Sequence, residues 1–267
     1  MIRSPAVAGR FYPSDPRLLA ADIDKYSSVD AEKAAARACF VPHAGYIYSG
    51  HVAGAVYGSL EIPPRCVLAG PRHFPYGAPM SILTEGSWET PFGEAQIDAA
   101  LAREIVRACP HLVQDAVAHQ TEHSLEVQIP FLQRLAPDFR FVPIVLAGDR
   151  YAPLEELGHG LARVLAAQAE PVLLVISSDM NHYEDDEVTR VKDRKAIDRL
   201  LAVDAAGLYD TVRNEEISMC GYGAAVASLV ALKDLGASEG KLVRYATSGD
   251  ISGDRDEVVG YAGIVFA

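Results

Sequence analysis

The residues PVLLVISSDMNH, positions 171–182, contain a nearly continuous run of β-branched and aliphatic side chains. Polar residues follow this run without a spacer. A short, continuous apolar run is typical of a strand covered on both faces, as in a parallel or mixed sheet. Polar side chains just past such a strand lie where α/β sheets bind their ligands. The stretch therefore predicts an internal strand that leads directly into a functional loop.

On both sides of this stretch, similar strand-like runs alternate with helical patterns along the chain. The predicted strands are residues 39–42, 66–70, 141–148, 171–178, 241–247 and 260–266. The predicted helices are residues 50–60, 97–108, 123–135, 153–168, 187–202, 204–213 and 221–235. The alanine-rich segments 31–38 and 162–169 also have helix-forming composition. This alternation predicts an α/β fold, a three-layer sandwich in which a mixed, mostly parallel sheet is flanked by helices. With no linker or internal repeat, residues 1–267 are expected to form one domain.

Composition and charge narrow the classes of function. The 267 residues carry a net charge of −12, a sign that disfavours nucleic acid and anionic membranes as partners. The start of the chain has no signal-peptide pattern, and no run approaches the ~20 apolar residues of a membrane span. We therefore expect a cytoplasmic protein with no nucleic-acid or membrane partner. The four cysteines are scattered without a CxxC pair, so a disulfide framework is not indicated.

Three predicted strands each deliver a histidine just past their carboxyl ends. CFVP runs into His43, CVLAG runs into His73 after two residues, and VLLVIS runs into Asp179 and His182. A single histidine after a strand is as readily a hydrogen-bonded turn residue as a ligand. Three at equivalent strand ends favour one common pocket.

The residue types in this pocket are suited to a metal ion. Neutral imidazoles and thiolates are good ligands for transition metals, and two histidines with one anionic ligand leave sites open for a substrate. His43 and His73 supply the imidazoles. Cys220 lies at a predicted loop-to-helix junction, where a helix N-terminus lowers a thiol pKa, so it is the third predicted metal ligand. Read alone, Cys220 would more often be a buried core thiol.

Other polar residues near the pocket are candidates for catalytic roles. His182 could act as a general acid or base, and Asp179 could orient an imidazole or the metal environment. Their structural alternative is a capped turn. The segment HQTEH, residues 119–123, supplies His123 as a further pocket residue. It also matches the H-x-x-E-H pattern of inverted zinc peptidases, which leaves a hydrolytic alternative based on His119, Glu122 and His123.

Taken together, seven motifs resemble the MEMO family, in particular the AmmeMemoRadiSam system protein B. They are AGRFYP (8–13), PHAGYIYSG (42–50), GPRHF (70–74), EHSLEVQIPFL (122–132), SSDMNH (177–182), CGYG (220–223) and GYAGIVF (260–266). The resemblance implies a fold similar to the LigB-like class III extradiol dioxygenases. It also implies an iron or copper site on His43, His73 and Cys220, lined by His123, Asp179 and His182. The family name further implies radical SAM and AMMECR1-like proteins as partners.

The cysteine at the third ligand position separates this chain from the dioxygenases, which use two histidines and a glutamate. We therefore expect a mononuclear metal site in a metal-dependent redox enzyme or oxygenase that acts on an unknown small molecule. Iron is the first expectation for the metal, with copper and zinc as alternatives. Two other hypotheses remain open from sequence: a non-catalytic metal-binding or protein-interaction module, and a zinc hydrolase.

Overall fold

A computed structural model of the chain describes residues 1–29, 32–147 and 150–267. Within these ranges one twelve-stranded sheet forms. Its strands are β1 (Ile2–Arg3), β2 (Ala38–Val41), β3 (Arg65–Pro71), β4 (Met80–Ile82), β5 (Ser87–Thr90), β6 (Gly93–Ile97), β7 (Val113–Gln114), β8 (Arg140–Leu146), β9 (Leu173–Ser177), β10 (His182–Glu184), β11 (Gly240–Thr247) and β12 (Val258–Phe266).

The middle of the sheet is parallel. Strands β6, β8, β3, β9 and β2 lie side by side in that order, and each neighbouring pair is parallel. Antiparallel pairs appear toward the edges, where β12 pairs with β2, β10 and β11, and β5 pairs with β6. The sheet is therefore mixed and mostly parallel through its centre, as the sequence predicted.

Helices cover both faces of this sheet. They are α1 (Pro16–Tyr26), α2 (Tyr46–Gly58), α3 (Ala99–Ala108), α4 (Val117–Gln120), α5 (Ile129–Leu135), α6 (Tyr151–Ala166), α7 (Asp186–Leu201), α8 (Ala205–Asn214), α9 (Tyr222–Asp234) and α10 (Gly249–Ser252), with a 3₁₀ turn at Glu126–Gln128.

The apolar side chains of the central strands alternate between two hydrophobic cores. On β2, Phe40 belongs to the core that contains α3, α6 and α9, whereas Cys39 and Val41 belong to the core that contains α1, α2 and α5. This two-residue period is that of a strand buried on both faces. Two cores on opposite faces of one sheet confirm the predicted three-layer α/β fold.

Some local expectations were wrong. Residues 32–37 lie outside any helix and lead into β2 at Ala38, where pairing with β12 and β9 overrides the helix-forming composition. Helix α1 was not predicted, although Asp15 caps it and Pro16 opens it. Ala31, the first residue of the segment 31–38, and Gly148, the last residue of the predicted strand 141–148, lie outside the described residues.

The topology brings the carboxyl ends of three parallel strands to one edge. Strands β3, β9 and β2 are consecutive neighbours, and they end at Pro71, Ser177 and Val41. The strands of this sheet run from β1, which begins at Ile2, to β12, which ends at Phe266. The expectation of one domain over residues 1–267 stays a prediction. None of the helices in the described part of the chain is long and apolar enough to cross a membrane.

Candidate metal centre

Three histidines converge at this edge of the sheet. His43 follows β2, His73 follows β3, and His123 lies between α4 and the 3₁₀ turn. One ring nitrogen from each of the three lies within 4.8 Å of the others. The rings of His73 and His123 are stacked with centroids 4.5 Å apart, and the ring of His43 meets both of them edge-on. This cluster, called the histidine cluster below, has the compactness of a mononuclear metal site.

Glu122 holds His73 in place from behind. Its Oε1 accepts a hydrogen bond from His73 Nδ1 at 2.9 Å, and its Oε2 accepts one from the His73 backbone N–H at 2.6 Å. Burial alone would raise the pKa of this carboxyl, but its bonds to His73 and the nearby His123 lower the pKa to about 2. A carboxylate bonded to Nδ1 leaves Nε2 as the nitrogen that can bind a metal.

His43 is buried and fixed at both its backbone and its ring. Its backbone N–H donates to Asp179 Oδ1 at 2.7 Å, and its Nδ1 lies 2.9 Å from Ser177 Oγ. Burial, with the neighbouring imidazoles, lowers the pKa of His43 well below its usual value. The ring is therefore neutral at physiological pH, which is the form that binds metals. Asp179 orients the loop of His43 rather than its ring.

Cys220 contacts the histidine cluster through His43, and among the described residues the group whose ligand atoms all lie within 4.8 Å of one another does not include it. It precedes α9, and its Sγ lies 3.2 Å from His43 Nε2. Gly221 permits this approach, because a Cβ at that position would lie 2.5 Å from the Ser178 Cβ. The expected low thiol pKa was wrong. Burial and the charge of Asp179 raise the pKa of Cys220 and outweigh the hydrogen bonds with Ser178 and Gly221 that lower it.

His182 begins β10 beside the loop of Cys220. Its Nδ1 lies 2.8 Å from the carbonyl oxygen of Ser218, and its backbone N–H donates to Ser218 Oγ at 2.7 Å. Because a carbonyl oxygen can only accept, Nδ1 must carry the hydrogen, which leaves Nε2 of the neutral ring as a base. Asn181 joins the same two segments, since its Oδ1 accepts from the Ser218 N–H and hydroxyl.

His123 is enclosed by aromatic side chains. Its ring meets Phe11 edge-on with centroids 4.9 Å apart and lies 6.5 Å from the ring of Phe74. Burial lowers the pKa of His123 to about 4, although the nearby Glu122 opposes this shift. The sequence predicted His123 as a pocket residue, and the structure places its ring in the cluster beside His43 and His73.

Glu126 anchors the N-terminal segment that carries Phe11. Its carboxylate accepts hydrogen bonds from Arg3, Tyr12 and the backbone N–H groups of Ala6 and Val7. The acidic residue one turn after Glu122 is therefore structural. It explains why the motif AGRFYP lies beside the histidine cluster although it is distant in sequence.

His119, the first histidine of HQTEH, does not join the cluster. It is buried, its ring packs edge-on against Trp88, and its carbonyl oxygen accepts a bond from Arg3. The metal-capable group found among the described residues contains His123 but not His119. This geometry gives the zinc-hydrolase alternative no support.

The donor set fits a transition metal. Imidazole nitrogens and a thiol suit zinc, copper and iron, whereas magnesium and calcium require oxygen ligands. The carboxylate behind His73 and the hydroxyl beside His43 are the outer contacts expected of metal-binding histidines. The sequence missed Glu122 and Ser177 in these roles; the only available signal was that Glu122 adjoins His123 and that Ser177 lies two residues before Asp179.

A mostly parallel sheet with imidazoles at the carboxyl ends of its strands defines the class: an α/β protein with a candidate metal site. A solved structure of an uncharacterized protein from Escherichia coli K12 shares this fold, with a TM-score of 0.56 over 84% of this chain and 98% of the other. At 14% identity, this likeness shows the fold alone.

The chain belongs to the Memo-like protein family, whose model matches residues 3–265. MEMO1 family proteins are similar to it along nearly their whole length. The one from Methanopyrus kandleri is 41% identical, covering 100% of this chain and 99% of the relative. The one from Aquifex aeolicus is 43% identical, covering 99% of each chain. The family resemblance is thereby confirmed.

Proposed function

We propose that this protein holds one divalent or redox-active metal ion at the histidine cluster and uses it in chemistry on a small molecule. The observation that carries the proposal is the convergence of three imidazoles within 4.8 Å beside a thiol. Iron is the first choice, with copper and zinc as alternatives that a thiol ligand also suits. A bound metal of this kind would supply a Lewis acid and, for iron or copper, an electron-transfer centre.

His43, His73 and Cys220 are the proposed ligands. Cys220 Sγ and His43 Nε2 are already in contact, and the Glu122 bond to Nδ1 leaves Nε2 of His73 available. His123 lies close enough to be a fourth ligand or to replace the cysteine. A thiol that loses its proton on binding would balance one positive charge of the ion.

The remaining residues of the pocket have proposed roles in proton transfer, loop positioning and substrate binding. His182 is the proposed acid or base, because its Nδ1 is fixed on Ser218 and its Nε2 is left for proton transfer. Asp179 positions the His43 loop through its backbone N–H. The rings of Phe74 and Tyr183 contact His123 and His182 and are themselves exposed. Such exposed rings favour a substrate with an apolar part.

Metal analysis of anaerobically purified protein tests the proposal. We expect about one equivalent of metal in the wild type, and a large loss in the variants His73→Asn and Cys220→Ser, since each removes a proposed ligand. His123→Asn distinguishes the ligand sets, because metal retained in that variant assigns His123 to the substrate side.

His159→Asn is the matched control. His159 is exposed and bonded to Asp234, away from the cluster, so this variant should keep its metal. A wild type that takes up no iron, copper or zinc would contradict the proposal. Metal retained in Cys220→Ser but lost in His123→Asn would show that His123, and not Cys220, is the third ligand.

A further inference from the structure

We propose that Gln128 and Ser177 are positioning residues that hold His43 in one tautomer, with its hydrogen on Nδ1. In that tautomer the lone pair of Nε2 always faces the histidine cluster. The inference rests on the proposed metal function for its purpose, but its geometry stands without a metal. It follows from counting the hydrogens in a buried network in which each group has only one consistent role.

The orientation of the Gln128 amide is fixed first. Gln128 is buried, and its side chain lies between the carbonyl oxygen of Pro42 and the hydroxyl of Tyr57. A carbonyl oxygen can only accept, so the side facing Pro42 at 2.9 Å must be the NH₂ group. The amide oxygen then accepts from Tyr57, at 3.0 Å. The second amide hydrogen is thereby directed at Ser177 Oγ, 2.9 Å away.

The single hydroxyl hydrogen of Ser177 is fixed next. Ser177 Oγ lies 2.6 Å from the carbonyl oxygen of Ser124, a distance at which two oxygens repel unless a hydrogen lies between them. Because the carbonyl cannot donate, that hydrogen belongs to Ser177. Gln128 occupies another position on the same oxygen as a donor, so Ser177 has no hydrogen left for His43.

The tautomer of His43 follows. Its Nδ1 lies 2.9 Å from Ser177 Oγ, and with the hydroxyl hydrogen committed elsewhere, Nδ1 must be the donor. Neutral His43 therefore carries no hydrogen on Nε2. That nitrogen lies 3.2 Å from Cys220 Sγ, so its lone pair faces either the thiol hydrogen or a metal that replaces it.

Gly70 makes room for this arrangement. A Cβ at Gly70 would lie 2.8 Å from the Leu125 Cδ2 and 3.0 Å from the Ser124 Oγ. Strand β3 can therefore lie directly against the segment whose carbonyl accepts from the Ser177 hydroxyl. The network connects α2, through Tyr57, to the ligand loop after β2, and all its members are buried.

Nitrogen-15 NMR of histidine-labelled, metal-free protein tests the inference at a pH where the rings are neutral. Protonated and unprotonated ring nitrogens have well-separated shifts, and His43→Asn assigns the signals by their loss. We expect wild-type His43 to be protonated on Nδ1 and unprotonated on Nε2. Ser177→Ala should give a mixture of tautomers and a 10- to 100-fold lower affinity for ferrous iron, the usual effect of removing a partner of a ligand histidine.

Ser81→Ala is the matched control. It deletes a buried hydroxyl on β4 that donates to the Asp115 carbonyl and belongs to neither the histidine cluster nor the Gln128 network, so both readouts should stay as in the wild type. A wild-type His43 protonated on Nε2 would overturn the inference, and that spectrum decides the matter even if Ser177→Ala fails to fold. Unchanged tautomer and iron affinity in a folded Ser177→Ala would also overturn it. A wild type with the expected tautomer that binds no metal would contradict the proposed function alone.

Discussion

Glu122 joins two of the clustered histidines through a single carboxylate. Its Oε1 accepts from His73 Nδ1 and from the Ser124 backbone N–H, and the same oxygen lies 3.6 Å from His123 Nδ1. Its other oxygen accepts from the His73 backbone N–H. A fully buried carboxylate with three donors is well satisfied, and it ties the loop after β3 to the segment before the 3₁₀ turn.

Glu122→Gln should weaken metal binding although it removes none of the proposed ligands. The amide places an NH₂ group against donors that the carboxylate accepts from, so His73 loses part of its support. We expect a 10- to 100-fold lower metal affinity and a loss of about 1–3 kcal/mol in the free energy of unfolding. Isothermal titration with zinc under anaerobic conditions and chemical denaturation measure the two effects.

Glu156→Gln is the surface counterpart of this change. Glu156 also bonds a histidine, His111, but both side chains are exposed. It should alter neither quantity, because exposed pairs of this kind contribute little. Equal zinc affinity in Glu122→Gln and the wild type would contradict the role given to Glu122.

The sequence predicted the site residues that directly follow strands. It missed the residues whose role depends on contacts between distant segments of the folded chain. His43 and His73 could be placed near each other because each lies next to the end of a hydrophobic run. Gln128 could not, since its two donor bonds reach Pro42 and Ser177, 86 and 49 residues away along the chain. Nothing in the local pattern distinguishes such a glutamine from a surface residue.

At the scale of elements, helix α7 is fastened to the strands beside it through a buried carboxylate. Asp193 accepts from the Asn181 backbone N–H at 2.9 Å and from the Tyr245 hydroxyl at 2.7 Å. Burial raises the pKa of Asp193 from its ordinary 3.8 to about 7, although the hydrogen bonds and Arg190 oppose this change. The segment that holds Asn181 and His182 is thus tied to a group that titrates near neutrality.

This carboxyl should make stability depend on pH. Its pKa in the folded state lies above its pKa in the unfolded state. Its favourable contribution to the free energy of unfolding is therefore full below about pH 4 and is lost as the pH rises through about 7. Asp193→Asn should remove that loss. Relative to the wild type, the variant should gain stability between pH 4 and 7, by no more than about 4 kcal/mol for a shift of roughly three pKa units.

Denaturant unfolding of the metal-free protein across this range measures the effect. Asp198→Asn is the control on the same helix, because Asp198 is exposed and pairs with Arg194 one turn before it. Its stability profile should run parallel to the wild type. A parallel profile for Asp193→Asn as well would show that Asp193 is ionised throughout.

The sequence identified the internal strands more readily than the edge strands. The runs at β2, β3, β8 and β9 are buried on both faces, so their continuous hydrophobicity is a strong signal. The short strands β5 and β6 contain polar and charged residues, as in SWET and GEAQI, and they pair with each other toward an edge of the sheet. Their residues have no pattern that separates them from loops.

At the scale of the whole molecule, the fold gathers ligands from distant parts of the chain. His43 and Cys220 are 177 residues apart and meet because β2 and β9 are neighbours and the loop before α9 packs on the end of β9. The N-terminal segment closes over the same region through Glu126, which brings Phe11 against His123. The fold class could be predicted from the strand–helix alternation, whereas the contact of the N-terminal segment with His123 is visible only in the structure.

The position of the bound metal tests the proposed site directly. Anomalous diffraction data from crystals grown anaerobically with ferrous iron, collected on both sides of the iron absorption edge, would locate the ion. We expect one peak within bonding distance of ring nitrogens of His43 and His73 and of the Cys220 sulfur. A peak bound elsewhere, or none at the histidine cluster, would contradict it.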